Sequence, residues 1–412
     1  MNGKVQLIFK SASGVSDQLL TSGTHFIVNI ILAREMDLIA YGKFAAMYSI
    51  FILAFMIHSS LCTEPVSVIN FGRRGFKESH YYYVVVWGIL ISLPLILFSV
   101  VISFFFPNVL DTSYLPSFLF LLVASMIFWS FKTVCYRSEL PEWNVISLVV
   151  YSILNIGLVY AIYSWYNIKV SPFWLMGFAS LVSSIVLIIR LPKSFFFSKR
   201  KMIVVFSRIL SYSKWSLPAG LVIWFINNSY FLLLPYFLSF QETASFKAIV
   251  NLLLPVNQVI VGASLFLLPH LSKLYKSKST PEYNTLARRL LYIAIISLVI
   301  FSTVIAFTSN EILLFVYGNK YTNLNSMLVI AGIFLPFLWG SSAMIRTFLR
   351  SIKKPKCVFY SYVFALIPIG LLIIIYGCMN GVFSALTSII IVQLLILISL
   401  IYFSKREKLL FG

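Results

Sequence analysis

The sequence predicts an all-α polytopic membrane protein, and three observations lead to this fold class. Hydrophobic residues make up 60% of the 412 positions and charged residues only 11%, with a mean hydropathy of +0.94. The apolar residues form about twelve stretches, each long enough for a helix of roughly 20 residues that crosses the hydrocarbon core. A soluble domain of this length would need more polar surface. The third observation is the distribution of charge.

The basic residues fall almost entirely on one side of the membrane when the stretches are threaded alternately. The chain has 32 Lys and Arg residues, and cytoplasmic segments collect these residue types. We therefore expect an even number of spans, with both termini in the cytoplasm. The same rule explains the net charge of +20 without a nucleic-acid partner. The basic residues assigned to the opposite side are Arg34, Lys43, Lys169, Lys247 and Lys320.

Two sets of six spans are predicted, with a basic segment between them. Residues 190–214 hold seven basic residues and no acidic one, which indicates a cytoplasmic surface linker. We divide the chain into an N-terminal half, 1–190, a linker, 191–213, and a C-terminal half, 214–412. The predicted spans lie near residues 16–34, 44–65, 81–106, 114–135, 143–165, 172–190, 214–238, 244–269, 289–309, 325–349, 357–377 and 381–403.

The two halves are predicted to be repeats of one another. Leu140–Tyr163 can be laid on Lys353–Tyr376 at a constant offset, which aligns Ile156-Gly157-Leu158 with Ile369-Gly370-Leu371. Because each repeat would contain an even number of spans, both halves would point the same way, as in the parallel repeats of some transporters. This arrangement predicts two six-helix bundles around a central cavity, which is the default substrate site.

A polar stripe runs along the first span. Asp17, Thr21, His25 and Asn29 recur at a spacing of four, and a helix places them on one slanted face. Polar groups cost free energy in lipid, so this face should line a cavity or contact other helices. Two explanations stay open for Asp17 and His25. They bind or relay a coupling cation, since His titrates near physiological pH, or they pack against neighbouring helices.

Other polar residues within the spans have two possible roles, which are cavity lining and interhelical hydrogen bonding. Glu64, at the inner end of the second span, either pairs with Arg73 or Arg74 or takes part in ion coupling. The remaining candidates, in the seventh and eighth spans, are Asn227, Asn228, Asn251 and Gln258.

Four basic residues mark the cytoplasmic ends of two matching spans, and we call them the basic mouth. Lys132 and Arg137 end the fourth span, and Arg346 and Arg350 end the tenth. Arg binds phosphate in a bidentate manner, whereas Lys acts as a point charge. The basic mouth therefore either receives a lipid phosphate from the inner leaflet or reflects only the ordinary basic excess of cytoplasmic helix ends.

Enzyme and metal motifs are not found in the sequence. It contains no phosphate-binding loop, no His-Glu-x-x-His and no nucleophile elbow. The four cysteines and four histidines are scattered, so no disulfide framework or metal site is expected. We expect a protein that is not an enzyme and needs no cofactor.

Two short elements resemble a known family. Asn29-Ile-Ile-Leu-Ala-Arg34 followed by Ala40-Tyr-Gly-Lys-Phe-Ala45 is similar to the element joining the first two helices of Wzx-type O-antigen flippases. These flippases belong to the multidrug/oligosaccharidyl-lipid/polysaccharide (MOP) exporter superfamily. Residues 224–257 resemble the second-half element, in which members often have an acid soon after an Asn-Ser pair. This chain has Asn228-Ser229-Tyr230 there, so an acid-dependent role does not carry over.

The resemblance implies a function and its partners. The chain would move undecaprenyl-diphosphate-linked O-antigen units from the inner to the outer leaflet of a bacterial inner membrane by alternating access, without changing a covalent bond. Its partners would be this lipid-linked oligosaccharide, membrane lipids, and polymerase and chain-length components of the O-antigen pathway. One alternative is a multidrug or small-molecule exporter of the same superfamily. The other is a membrane-integral polymerase, which would be expected to have sizeable outside loops with catalytic residues.

Overall fold

All regular secondary structure in the described part of the chain is helical. The computed structural model of the protein describes residues 3–68, 78–105, 112–138, 140–166, 168, 170–191, 198–276, 280–352 and 354–407. No strand occurs in these ranges.

The first six helices follow the predicted first set of spans. Three of them, α4, α5 and α6, have a proline in their first turn, where the missing N–H group is not needed for the helix. Two helices contain a π-helical turn: α2 continues through Ser59–Thr63 into Glu64–Val68, and α5 ends in Ala161–Trp165. The bounds are α1 Gly3–Glu35, α2 Leu38–His58, α3 Glu78–Phe105, α4 Leu115–Arg137, α5 Pro141–Tyr160 and α6 Pro172–Arg190.

The second six helices follow the second set. A short helix, Tyr230–Phe237, continues α7, and 3₁₀ turns at Gly318–Leu324 join α9 to α10. α11 is broken by π-helical residues Leu366–Gly370 and resumes as Leu371–Met379. The bounds are α7 Lys199–Asn228, α8 Phe240–Lys276, α9 Thr280–Tyr317, α10 Asn325–Ser351, α11 Pro355–Ala365 and α12 Val382–Arg406.

The helices are long and apolar enough for a membrane. Among the described residues, 8 helical segments meet this test, or 9 when the bent α7 counts as one span. One segment, Glu282–Ser351, comprises both α9 and α10. α1 is outside this set because it carries polar residues, and α11 because Ile367 is not helical (φ −117°, ψ 127°). With these two, the helices correspond to the predicted stretches, and the all-α polytopic membrane fold is confirmed.

The distribution of side chains agrees with a lipid environment. Large apolar side chains such as Phe104 and Phe307 are 78% and 83% exposed, respectively. By contrast, many serines are buried, and in α6 Ser180, Ser183 and Ser184 each donate to the carbonyl four residues earlier. Such hydroxyls are satisfied within their own helix and let neighbouring helices approach closely. The helices therefore expose large apolar side chains, while their interior combines other large apolar side chains with small hydroxyl residues.

The chain folds into two compact units. The first comprises Met1–Thr24 and Lys43–Asn228, and the second comprises His25–Gly42 and Ser229–Gly412. The chain therefore passes from the first unit to the second within α1. Residues 199–213 of the predicted linker are the first part of α7, which belongs to the first unit. The predicted division at 191–213 concerned the sequence repeat, and as a repeat boundary it stays a prediction.

Matching turns in the two halves support the repeat. The residues preceding α5 and α11, Leu140 and Lys354, have φ/ψ of −110°/54° and −110°/52°. The residues that follow α4 and α10, Ser138 and Ile352, have φ/ψ of −82°/5° and −89°/10°. The turns therefore correspond, in a register one residue away from the sequence match.

Candidate functional site

Two predicted site residues, one from the polar stripe and one from the basic mouth, form an ion pair in the first unit. The Lys132 Nζ on α4 donates to the Asp17 Oδ1 on α1 at 2.7 Å. Their side chains are only 13% and 20% exposed, and Lys132 also lies 5.7 Å from the centroid of the Phe128 ring. Solvent screens a pair in this position less than it screens a surface pair. The charge of Lys132 is therefore compensated by Asp17.

Arg346, in the second unit, has a different environment. Its Nη1 donates to the hydroxyl of Tyr362 on α11 at 2.8 Å, and its guanidinium carbon lies 5.8 Å from the Tyr362 ring centroid. The side chain is half-buried, and within the described ranges it has no acidic partner. Because a neutral phenol accepts only one of its donors, Arg346 keeps its net charge and further donors for an anion.

The other two residues of the basic mouth are less defined. Arg350 is exposed, one turn beyond Arg346 at the end of α10. The side chain of Arg137 lies outside the described residues. Their assignment to anion binding stays a prediction.

The polar stripe of α1 extends over both compact units. Among the described residues, the buried Thr21 hydroxyl of the first unit has no hydrogen-bond partner, and the Thr24 hydroxyl beside the stripe lies 2.6 Å from that of Ser152 on α5. In the second unit, the buried Asn29 side chain donates to the backbone carbonyl of His25 at 2.7 Å. Within the stripe, Asp17 contacts a neighbouring helix through Lys132, and the role of the stripe in ion coupling stays a hypothesis.

Glu64 is exposed and begins the segment that follows the π-helical turn of α2. Its Oε1 accepts a hydrogen bond from the Tyr212 hydroxyl on α7 at 2.9 Å. The basic partners considered for it, Arg73 and Arg74, lie outside the described residues. Across the part of the chain that the structure describes, no group of at least three His, Cys, Asp or Glu residues could hold a metal ion.

The amide candidates of α7 and α8 lie in different units. Asn227 and Asn228 belong to the first unit, and their side-chain amides donate to carbonyls four residues earlier at 2.8 and 3.3 Å. Asn251 is fully buried in the second unit, and Gln258 is half-buried two turns further along α8. These positions are compatible with helix packing and with cavity lining alike.

One cluster that the sequence did not predict consists of a single buried histidine and the hydroxyl groups around it. The fully buried His58 on α2 has its Nε2 3.1 Å from the Ser130 Oγ and its Nδ1 3.5 Å from the Thr63 Oγ1. The Thr63 hydroxyl in turn lies 3.0 Å from that of Thr133. The signal that would have found this cluster is an ionisable residue within a span, which marks a candidate functional site by default.

Comparison with known proteins gives the fold a context. No protein-family model and no curated protein sequence matches the chain. It is similar to an inward-facing multidrug resistance MATE family transporter of the MOP superfamily (TM-score 0.73, 13% identity, 95% of this chain and 94% of that chain). It is also similar to the lipid II flippase MurJ in an inward closed conformation (TM-score 0.71, 17% identity, 97% and 87%). The chain has the fold of MOP-superfamily transporters.

A third structure extends this likeness. A single-residue mutant of the Vibrio cholerae MATE transporter VcmN matches with a TM-score of 0.66 at 13% identity, over 99% of this chain and 98% of that chain. The similarity therefore covers nearly the whole length of each protein. The predicted likeness to the MOP superfamily is confirmed at the level of the fold, whereas the narrower likeness to O-antigen flippases rests on the sequence elements.

Proposed function

We propose that the chain is a flippase for lipid-linked oligosaccharides. It moves undecaprenyl-diphosphate-linked O-antigen units from the inner to the outer leaflet of a bacterial inner membrane by alternating access, with both termini in the cytoplasm. Support comes from the sequence resemblance to O-antigen flippases and from the fold shared with a lipid II flippase. Polymerase and chain-length components acting on the same units are the proposed protein partners.

The observation that carries this proposal is the environment of Arg346. A diphosphate cannot cross hydrocarbon bare, because moving an unpaired charge out of water is very costly. Arg346 is a half-buried cation without an acidic partner in the described part of the chain, and the Tyr362 hydroxyl fixes its orientation. A guanidinium held in this way offers parallel N–H donors to a phosphate. It is therefore suited to receive the diphosphate head of a lipid.

A second candidate is export of small molecules, which the similarity to multidrug MATE transporters favours. The two candidates differ in what they ask of Arg346. A lipid diphosphate needs an anion-binding group on its path, whereas a drug without an anionic group does not. Substitution of Arg346 therefore separates the candidates.

The test is flipping of a fluorescent undecaprenyl-diphosphate saccharide by purified protein in proteoliposomes. Losing hydrogen bonds to a charged group costs about 1.5–3 kcal/mol, so Arg346→Ala should slow flipping at least tenfold. Arg346→Lys should restore it only in part, because the planar fork is lost. Lys356→Gln, which removes an exposed cation at the start of α11, is the matched control and should flip normally.

A cellular measurement complements this assay. Depletion of the protein should make lipid-linked oligosaccharide accumulate on the inner leaflet, and Arg346→Ala should fail to relieve the accumulation. Full relief by Arg346→Ala at an equal protein level would contradict the proposed role of Arg346. Depletion without any accumulation would favour the small-molecule exporter.

A further inference from the structure

The ion pair of Lys132 and Asp17 poses a problem for anion binding at the basic mouth. Lys132 is a residue expected to receive a phosphate, yet its ammonium group already contacts a carboxylate at 2.7 Å. Both side chains are largely withdrawn from water, so the pair does not open simply through solvent screening. A phosphate group that approaches Lys132 therefore meets the negative charge of Asp17.

The structure contains a second partner for the Asp17 carboxylate. Tyr136 lies four residues after Lys132, so both project from the same face of α4. Its hydroxyl is buried and interacts with the Asp17 carboxylate. A carboxylate that loses Lys132 would therefore keep a hydrogen-bonding partner on the same helix.

We propose that Asp17 is an internal competitor for anions at Lys132. In the empty protein the carboxylate occupies Lys132, and a phosphate group displaces it toward the Tyr136 hydroxyl. No covalent bond changes in this exchange. The identity of the anion as the diphosphate of a lipid-linked saccharide rests on the proposed function, whereas the competition itself concerns phosphate chemistry in general.

The competition would give the site selectivity. Chloride carries a single charge and no oxygen atom, so it competes poorly with a carboxylate at hydrogen-bond distance. A diphosphate carries several charges and several acceptor oxygens, so it competes well. A cation that is paired with its own carboxylate thus excludes anions of low charge and binds anions of high charge. The repulsion between Asp17 and a competing anion provides the selectivity.

The first test measures whether the pair opens. A water-soluble carbodiimide converts a carboxylate and an ammonium group in contact into an amide, so purified protein should yield an Asp17–Lys132 cross-linked peptide by mass spectrometry. Inorganic pyrophosphate should lower that yield about fivefold, and sodium chloride at equal ionic strength should not. The Lys354–Glu407 pair, at 3.0 Å and with a lysine that is 49% exposed, is the internal control, and its yield should be the same in both salts.

The second test measures affinity for farnesyl diphosphate in detergent micelles. Asp17→Asn removes the competitor and should tighten binding about tenfold, whereas Glu407→Gln adds the same net charge and should change nothing. In the Lys132→Gln background, Asp17→Asn should have no effect, because no cation is left to compete for. Tyr136→Phe removes the second partner and should weaken binding about threefold.

The outcomes separate this inference from the proposed function. A pyrophosphate-dependent loss of the cross-link supports the competition even if no lipid diphosphate is flipped, in which case the proposed substrate is wrong. An unchanged cross-link, or an Asp17→Asn variant with wild-type or weaker affinity, overturns the competition even if lipid diphosphate is flipped. An effect of Asp17→Asn that persists without Lys132 overturns it as well.

Discussion

Gly42, in the first turn of α2, allows a close approach between two backbone segments of the second unit. A Cβ atom at this position would lie 1.9 Å from the carbonyl oxygen of Phe240 and 2.6 Å from its carbonyl carbon. Ordinary van der Waals contacts of a Cβ begin at 3.4 Å. Because the atoms in the way belong to the backbone at the start of α8, they cannot rotate aside as a side chain would. Gly42→Ala therefore requires the two helices to separate.

The size of the effect follows from this geometry. Overpacking a core costs typically about 1–3 kcal/mol when side chains and backbone adjust slightly. Here the backbone must move by roughly 1.5 Å, so we expect a loss of at least about 3 kcal/mol, at the upper end of that range. For a folding unit of about 150–250 residues, each kcal/mol lowers Tm by about 2–4 °C. The expected decrease in Tm is therefore about 6–12 °C.

The assay is thermal unfolding of the purified protein in detergent, together with the yield of monodisperse protein. Gly157→Ala is the matched control, because a Cβ at Gly157 in α5 would meet no atom within 4 Å. This control should keep the wild-type Tm or exceed it slightly, since Ala favours a helix over Gly. A Gly42→Ala protein that melts together with the wild type and the control would refute the steric argument.

Three further predictions concern other contacts and the topology. The Ser213 and Ser216 hydroxyls both donate to the Ser60 carbonyl in the π-helical turn of α2, at 3.0 and 2.9 Å. Because either hydroxyl can satisfy this carbonyl, each single Ala variant should lose under about 0.5 kcal/mol of the free energy of unfolding. The double variant should lose about 1–2 kcal/mol, measured by chemical unfolding. Equal losses in all three variants would contradict this redundancy. The Lys320 ammonium group donates to three backbone carbonyls at and just after the end of α1. Lys320→Met should therefore lower Tm, with a loss of about 2 kcal/mol in the free energy of unfolding. An unchanged Tm would show that water replaces these hydrogen bonds. Reporter fusions should place Ser198 in the cytoplasm and Asn319 in the periplasm, because the threading puts most basic residues on the cytoplasmic face. Finding both residues on the same side of the membrane would contradict the predicted threading.

Hydropathy predicted the helices well where a helix ends at the edge of its apolar stretch. The tenth span was predicted at 325–349, and α10 is Asn325–Ser351. The prediction fell short where a helix continues beyond its apolar stretch. The seventh span was predicted from residue 214, yet α7 begins at Lys199, because a basic and partly apolar segment can extend a helix without adding to its hydropathy.

The sequence also identified polar positions, but not their partners. Asp17, Lys132 and Arg346 are predicted site residues because placing an ionisable group in or beside a membrane span costs free energy, which indicates a functional role. His58 passed unnoticed because no pattern of spacing accompanies it. Its hydroxyl partners come from the neighbouring α4 and from the π-helical turn of α2, which no periodicity indicates.

Composition and hydropathy were enough to predict a bundle of membrane-spanning helices, because the cost of burying polar backbone in lipid leaves an apolar chain few alternatives. Which charges are compensated is seen only in the packed helices. Lys132 and Arg346 occupy matching places in the register of the two matching turns, yet Lys132 meets a carboxylate 115 residues away and Arg346 meets a neutral phenol on the next helix. Which helix faces meet depends on packing over long sequence separations, and local composition does not encode it.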